Sequence, residues 1–178
     1  MNKLVSILCL VVLVASCSNK NVSTKQKQLA TIDSIEKILY KKAATEAINI
    51  KDGDVAVHAY MAFVDSFPND SLALNYLFKA GEVANAIKHH TDAITYFDRF
   101  VKFYPTHTKA PAALFLQAFI CENNLSRLGQ ASTIYTQVIN QYPKTQFAKD
   151  AEACINNLGK SPDELIKEFE EKNKKMNQ

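Results

Sequence analysis

Three stretches of the chain end in an aromatic residue followed by proline, and they superpose on one another. Asp54–Pro68 reads DVAVHAYMAFVDSFP, Thr91–Pro105 reads TDAITYFDRFVKFYP and Gly129–Pro143 reads GQASTIYTQVINQYP. Laid on their prolines, they agree at Ala56/Ala93/Ala131, Tyr60/Phe97/Tyr135, Val64/Val101/Ile139 and Phe67/Tyr104/Tyr142. Self-similarity at such a period restricts the chain to stacked repeats, because each unit buries its apolar face only against its neighbours. Each stretch reads as an amphipathic helix that the proline stops, since proline disfavours helical geometry in the residue before it.

Each proline is followed by a short polar turn: Asn69-Asp70-Ser71, Thr106-His107-Thr108 and Lys144-Thr145-Gln146. Their side chains suit the start of a second helix. An alanine then recurs at matched distance, at Ala73, Ala110 and Ala148, while Tyr76, Leu77, Leu114, Phe115 and Phe119 supply bulk. Small residues let helices approach closely and large ones fill the space between them. The chain thus alternates two helices per repeat, and its scarcity of glycine, at 4 residues, fits helices better than a β-sandwich.

Here the chain resembles the tetratricopeptide repeat family: Ala93, Phe97, Val101 and Pro105 fall where that family has the alanine, aromatic, aliphatic and terminal proline of its second helix. The segment Tyr142–Ala151, YPKTQFAKDA, is similar to a signature of the subclass found in periplasmic and outer-membrane lipoproteins, among them barrel-assembly and envelope-coordination subunits. The resemblance spans roughly Lys51 to Leu158 and implies an all-α solenoid of about three helix pairs. It departs where many such repeats carry a second alanine, since Phe63, Phe100 and Val138 stand there.

Met1–Cys17, MNKLVSILCLVVLVASC, has a lysine, an apolar run of about a dozen residues and then small residues. The run is shorter than the roughly 20 residues that span a bilayer. It reads as a secretory signal over residues 1–16, and Val14-Ala15-Ser16-Cys17 resembles a bacterial lipobox, which implies acylation of Cys17. Ser18 follows, with no aspartate there, and the resemblance then favours the outer membrane. Residues 17–30 are expected to be the lipidated cysteine and a flexible tether, because Ser18–Gln28 has one apolar residue.

Apolar residues at helical spacing from Ile32 to Ile48 predict a first helix, capped by Thr31 or Asp33 and ended near Lys51-Asp52-Gly53. At the other end, Gly159, Ser161, Pro162 and Asp163-Glu164 predict a stop, an N-cap and a fresh helix that caps the array. The repeat domain is expected over 31–170 and a polar tail over 171–178.

The chemistry in the sequence is sparse. The formal charge of +3 is drawn from interspersed lysine and glutamate, which is no footprint for nucleic acid. His89-His90 reads as a solvated helix start, since neighbouring histidines face different directions on a helix. Cys121 and Cys154 are offset by about five residues in the repeat alignment, too far along the axis for a disulfide, and are expected as free thiols. No metal or cofactor is expected, and no enzyme.

Polar residues on the first helices of the repeats, Asn75, Lys79, Glu82, Gln117 and Glu122, are the candidates for contacting a partner on a preformed groove. The sequence therefore predicts a lipid-anchored, periplasm-facing scaffold for other cell-envelope proteins. The alternative is a ligand- or glycan-binding accessory lipoprotein of an uptake system, which a deep apolar pocket with convergent polar groups would favour.

Overall fold

The computed structural model describes residues 24–41 and 46–176, so the leader, the lipobox and Cys17 lie outside the described residues. Eight helices and no strand occur among the described residues: α1 over 24–41, α2 Ile50–Ser66, α3 Ala73–Ala86, α4 His90–Phe103, α5 Ala110–Asn123, α6 Leu128–Gln141, α7 Gln146–Asn157 and α8 Pro162–Met176. The predicted all-α class of tetratricopeptide-like helix pairs is the class observed. The chain divides into two compact units, the first ending at His89 with α1 to α3 and the second starting at His90 with α4 to α8.

The three aligned stretches form α2, α4 and α6, and the repeat alignment predicts their burial. Ala56, Ala93 and Ala131 are wholly buried, as are Tyr60, Phe97 and Tyr135. Phe63, Phe100 and Val138, where the resemblance has a second alanine, are also at 0% exposure, so each neighbouring helix in these units packs against bulk at that level. Each such side chain contributes on the order of 1.5–3 kcal/mol by leaving water.

The aromatic before each proline ends its helix in the same way. The N–H groups of Phe67, Tyr104 and Tyr142 donate to Phe63, Phe100 and Val138 carbonyls at 2.9, 2.8 and 2.9 Å. Their own carbonyls accept from Asp70, His107 and Thr145 at 3.0, 3.1 and 3.1 Å, with proline second in each turn, where its fixed φ belongs. The side chains of those three donor residues also start the next helix. Asp70 Oδ1 accepts from the Leu72 N–H at 2.9 Å, His107 Nδ1 from Lys109 at 3.1 Å and Thr145 Oγ1 from Ala148 at 3.3 Å.

In the first unit α2 packs on α3, and α1 is tied to both. Here the expected boundaries are corrected. Residues 24–30, inside the stretch 17–30 read as tether, are already helical, and polar side chains fasten them: Lys25 pairs with Asp70, and Gln28 Nε2 donates to Ser66 Oγ at 3.3 Å. Thr31 and Asp33 are therefore interior to the helix, and neither caps it. Toward its other end α1 is described as far as residue 41, and Ala47 and Ile48 are not helical. Asn49 caps α2 instead, its side chain accepting from the Asp52 N–H at 2.9 Å, so Lys51-Asp52-Gly53 opens a helix rather than ending one.

In the second unit α5 packs on α4 and α6, and α6 on α7. The core gathers Leu114, Ala118, Cys121, Ile134, Tyr135 and Val138, with Phe115, Phe147 and Cys154 partly buried against it. Gly159, at φ 77°, lets the chain turn after α7. Ser161 and Glu164 then form a reciprocal capping box: the Ser161 N–H donates to Glu164 Oε2 at 2.7 Å and the Glu164 N–H to Ser161 Oγ at 3.3 Å. The helix α8 runs to Met176, through six residues of the expected polar tail 171–178. Good helix formers with Lys174 and Lys175 in the last turn favour helix without burial.

Candidate functional site

The candidate residues on the first helix of each repeat fall into different environments. In the first unit, Asn75 on α3 is half-buried and Glu82 is exposed. Lys79, between them, is committed to an internal cluster. Its Nζ lies 2.6 Å from Glu36 Oε1 on α1, and 5.8 Å from the centroids of both the Tyr40 and Tyr76 rings. The same Glu36 oxygen accepts from the hydroxyl of Tyr60 on α2 at 2.9 Å, and the Tyr60 ring stacks on Tyr76 at 5.5 Å. One carboxylate thus ties three helices together.

Electrostatics follow from that arrangement. Burial pushes the Lys79 ammonium down, but the Glu36 hydrogen bond and the tyrosine neighbours outweigh it, leaving its pKa above the ordinary lysine value. Burial first, then the bonds to Glu36 and Tyr40, raises the Tyr60 phenol far above its ordinary range. Tyr76 is raised by burial and then by the Glu36 charge. The cluster is neutral tyrosine around one ion pair, which is a structural fastening with a cationic face presented to two rings.

In the second unit, Gln117 on α5 is 4% exposed, and its Nε2 has no hydrogen-bond partner among the described residues. It occupies an interior position and not an open surface. Glu122, also on α5, accepts from the Tyr135 hydroxyl of α6 at 2.7 Å. Tyr60 and Tyr135 share one repeat position, and both deliver a buried hydroxyl to a glutamate on a preceding helix. The middle repeat has Phe97 there, without a hydroxyl to satisfy. Of the five candidates, Lys79 and Glu122 are thus bonded within the fold, Gln117 is buried, and Asn75 and Glu82 remain at the surface of α3.

One surface residue escaped the sequence reading. Phe119 on α5, expected as core bulk, is 43% exposed. It stacks on Phe115 at 6.4 Å, and Phe115 in turn meets Tyr135 at 5.4 Å and Phe147 of α7 at 5.7 Å. The helix α5, APAALFLQAFICEN, is apolar almost all round, so its pattern gives no sign of which side faces out.

Cys121 and Cys154 are free thiols, the first buried and the second half-buried, and burial raises both. His89 Nδ1 lies 3.3 Å from Asp54 Oδ1. No group of three or more potential ligands holds metal-binding geometry among the described residues. The hollow along the start of α2, about 630 Å³ and lined by Ile50, Lys51, Asp54, Val55 and His58, is shallow and open. No helix among the described residues is long and apolar enough to cross a membrane.

Paired helices with a repeated alanine, aromatic and terminal proline define a tetratricopeptide-like helical-repeat protein. The chain belongs to the outer membrane lipoprotein family YfiO, whose pattern matches residues 32–164. It is similar to the outer membrane protein assembly factor BamD of Xylella fastidiosa strain 9a5c, with 28% identity over 86 residues, covering 39% of this chain and 30% of the relative. The BamD of strain Temecula1 matches at the same identity, with 29% of its length covered. The match thus spans under a third of these relatives.

Proposed function

We propose that this protein is a non-enzymatic scaffold, anchored by lipid at Cys17 to the periplasmic side of the outer membrane, that engages other envelope proteins in outer-membrane protein assembly or cell-envelope coordination. The observation that carries the reading is the family match across residues 32–164, and the name of the Xylella relatives, an assembly factor, supports its direction. The internal bonding of Lys79 in the first unit and of Glu122 in the second supports helices that are held firmly within each unit. Asn75 and Glu82 on α3, and Phe119 on α5, are the residues assigned to partner contact; Lys79, Gln117 and Glu122 hold the helices that present them.

Acyl chains on Cys17 supply the membrane affinity, at about 0.8 kcal/mol per buried CH₂. Cys17→Ala is expected to abolish labelled-palmitate incorporation and release the protein from the membrane fraction. Retention of both would sink the anchor. For the scaffold, a photo-crosslinking amino acid at Glu82 or Phe119 in cells is expected to give discrete adducts with envelope proteins, while the same probe at buried Gln117 gives none. Absence of adducts at Asn75, Glu82 and Phe119 alike rejects the scaffold.

A further inference from the structure

The outward side of α1 in the first unit has a composition of its own. At 3.6 residues per turn, Lys27, Ala30, Thr31, Ser34, Ile38 and Lys41 fall on one strip, and all six are exposed. The strip carries no carboxylate. Asp33, beside it, is paired with Lys37 at 2.6 Å, and Glu36 turns inward to Tyr60 and Lys79. The hydroxyls of Thr31 and Ser34 donate to the Lys27 and Ala30 carbonyls one turn back, both at 2.9 Å, so they do not depend on water as an acceptor.

At its C-terminal end the strip meets an apolar edge. Ile38 shares a groove between α1 and α2 with Val55, and Val55 shares the hollow at the start of α2 with Ile50. These three aliphatic side chains are 55%, 49% and 57% exposed. The two carboxylates that line the same hollows are engaged, Asp52 by Asn49 Nδ2 at 2.6 Å and Asp54 by His89 Nδ1 at 3.3 Å, while Lys51 beside them and Lys27 and Lys41 along α1 are exposed with their long stems. Half-exposed aliphatics with lysines around them are the composition of a face that lies at a lipid interface. The apolar groups enter the headgroup layer and the ammonium groups reach lipid phosphates.

The length of chain before α1 brings a bilayer within reach. Only residues 18–23 separate Cys17 from residue 24 of α1, a length of chain that reaches at most about 25 Å. We propose that the Lys27–Lys41 strip of α1, with Ile50 and Val55, docks on the anionic headgroup surface of the membrane that carries the anchor. The proposal rests on acylation of Cys17. The anchor then holds the strip within reach of the headgroups, so the strip docks without needing strong membrane affinity of its own.

The chain has no tryptophan, so Ile38→Trp introduces a single reporter at an exposed position. The mature acylated protein, purified from membranes, is reconstituted into vesicles of phosphatidylethanolamine and phosphatidylglycerol. The expected result is blue-shifted emission that lipids brominated in the acyl chain quench by about twofold, and that Lys27→Glu with Lys41→Glu reverses. Unshifted, unquenched emission from a sample in which Cys17 carries acyl label overturns the docking and leaves the anchor standing. Absence of acyl label on Cys17 overturns the anchor reading and the docking with it. A blue shift that brominated lipid does not quench, and that dilution of the protein in the bilayer abolishes, marks a second copy on this face and overturns the proposal too.

Discussion

Glu36 Oε1 accepts from the Tyr60 hydroxyl at 2.9 Å and from Lys79 Nζ at 2.6 Å, and the two bonds differ in what each contributes. The Tyr60 side chain is fully buried, so removing Glu36 leaves the phenol only Tyr40 as a partner away from water, a loss of about 1–3 kcal/mol. The ammonium is about a third exposed, at 32%, and water replaces much of what the carboxylate gives it. Lys79→Ala should therefore destabilise the fold by about 1 kcal/mol or less, and Glu36→Ala by clearly more. Urea unfolding of both variants checks the order. A larger loss for Lys79→Ala would show that the ion pair, and not the phenol, is the dominant partner of Glu36. The same logic holds at Tyr135, whose bond to Glu122 at 2.7 Å explains why tyrosine stands at two of the three equivalent positions.

The helices show where sequence reasoning reaches and where it stops. The aromatic-proline ends of α2, α4 and α6 and their buried alanines were legible, because they rest on local chemistry that repeats three times. Boundaries set by distant partners were not. Nothing in Ser18–Gln28 shows that Lys25 will meet Asp70, and Asn49 directly follows the helical spacing of Ile32–Ile48, which hides it as the cap of the helix that contains Gly53. Gly53 itself looks like a stop signal in the sequence but is a point of close approach. A Cβ there would lie 2.3 Å from Ile87 Cγ2 at the end of α3, a buried β-branched side chain with little room to yield. Gly53→Ala is expected to lose about 1–3 kcal/mol to that overlap, more than the roughly 1 kcal/mol helix propensity returns. A thermal midpoint that rises instead would show that Ile87 moves aside freely.

The ends of α3 and α5 carry the opposite defect. Lys88 and Ser126 adopt φ of 65° and 53°, the left-handed region that suits glycine. At Lys88 the geometry is a Schellman turn, with His89 N–H donating to Ala84 O at 2.8 Å and Lys88 N–H to Asn85 O at 3.0 Å. Lys88→Gly removes the Cβ strain and should stabilise by about 0.5–1 kcal/mol, read as a shift in urea midpoint at unchanged slope. A loss of stability would mean that the lysine side chain contributes more than its backbone strain takes away. As for the candidate residues, helical periodicity places them on α3 and α5 but does not show what each side chain meets. Whether Lys79 or Glu122 faces a partner or a neighbouring helix depends on tertiary placement that helical periodicity does not encode.

Across the whole molecule, the titrating groups are shifted asymmetrically, and the stability curve should be asymmetric with them. On the acid side, among the described residues, Asp70 is held below its ordinary value by the Lys25 ammonium and then the Leu72 N–H, and Glu164 by the Ser161 backbone and hydroxyl. Their contributions are complete above ordinary values of 3.8 and 4.5 and fade as pH falls through the lowered ones. Both are near the surface, so this limb is shallow. On the alkaline side Tyr60, Tyr76, Tyr135 and Tyr142 are raised above 10.0, and Cys121 and Cys154 above 9.0, burial being the first cause in each. Lys79 is raised above 10.5 by Glu36 against its burial. All seven favour the protonated form in the folded state, so each contribution is complete below its ordinary value and is lost as pH rises, because the unfolded chain gives up the proton first. Every group that titrates only when unfolded steepens the fall by about 1.4 kcal/mol per pH unit. The melting temperature should therefore stay level from roughly pH 5 to 8.5 and drop steeply above about pH 9–10, more steeply than at low pH. Tyr60→Phe and Tyr135→Phe remove one titrating group each and should flatten the alkaline limb while leaving the acid limb where it was. A pH series of thermal melts that falls off as sharply below pH 4 as above pH 10, or whose alkaline slope ignores both substitutions, would show that the buried phenols open to solvent before the fold does.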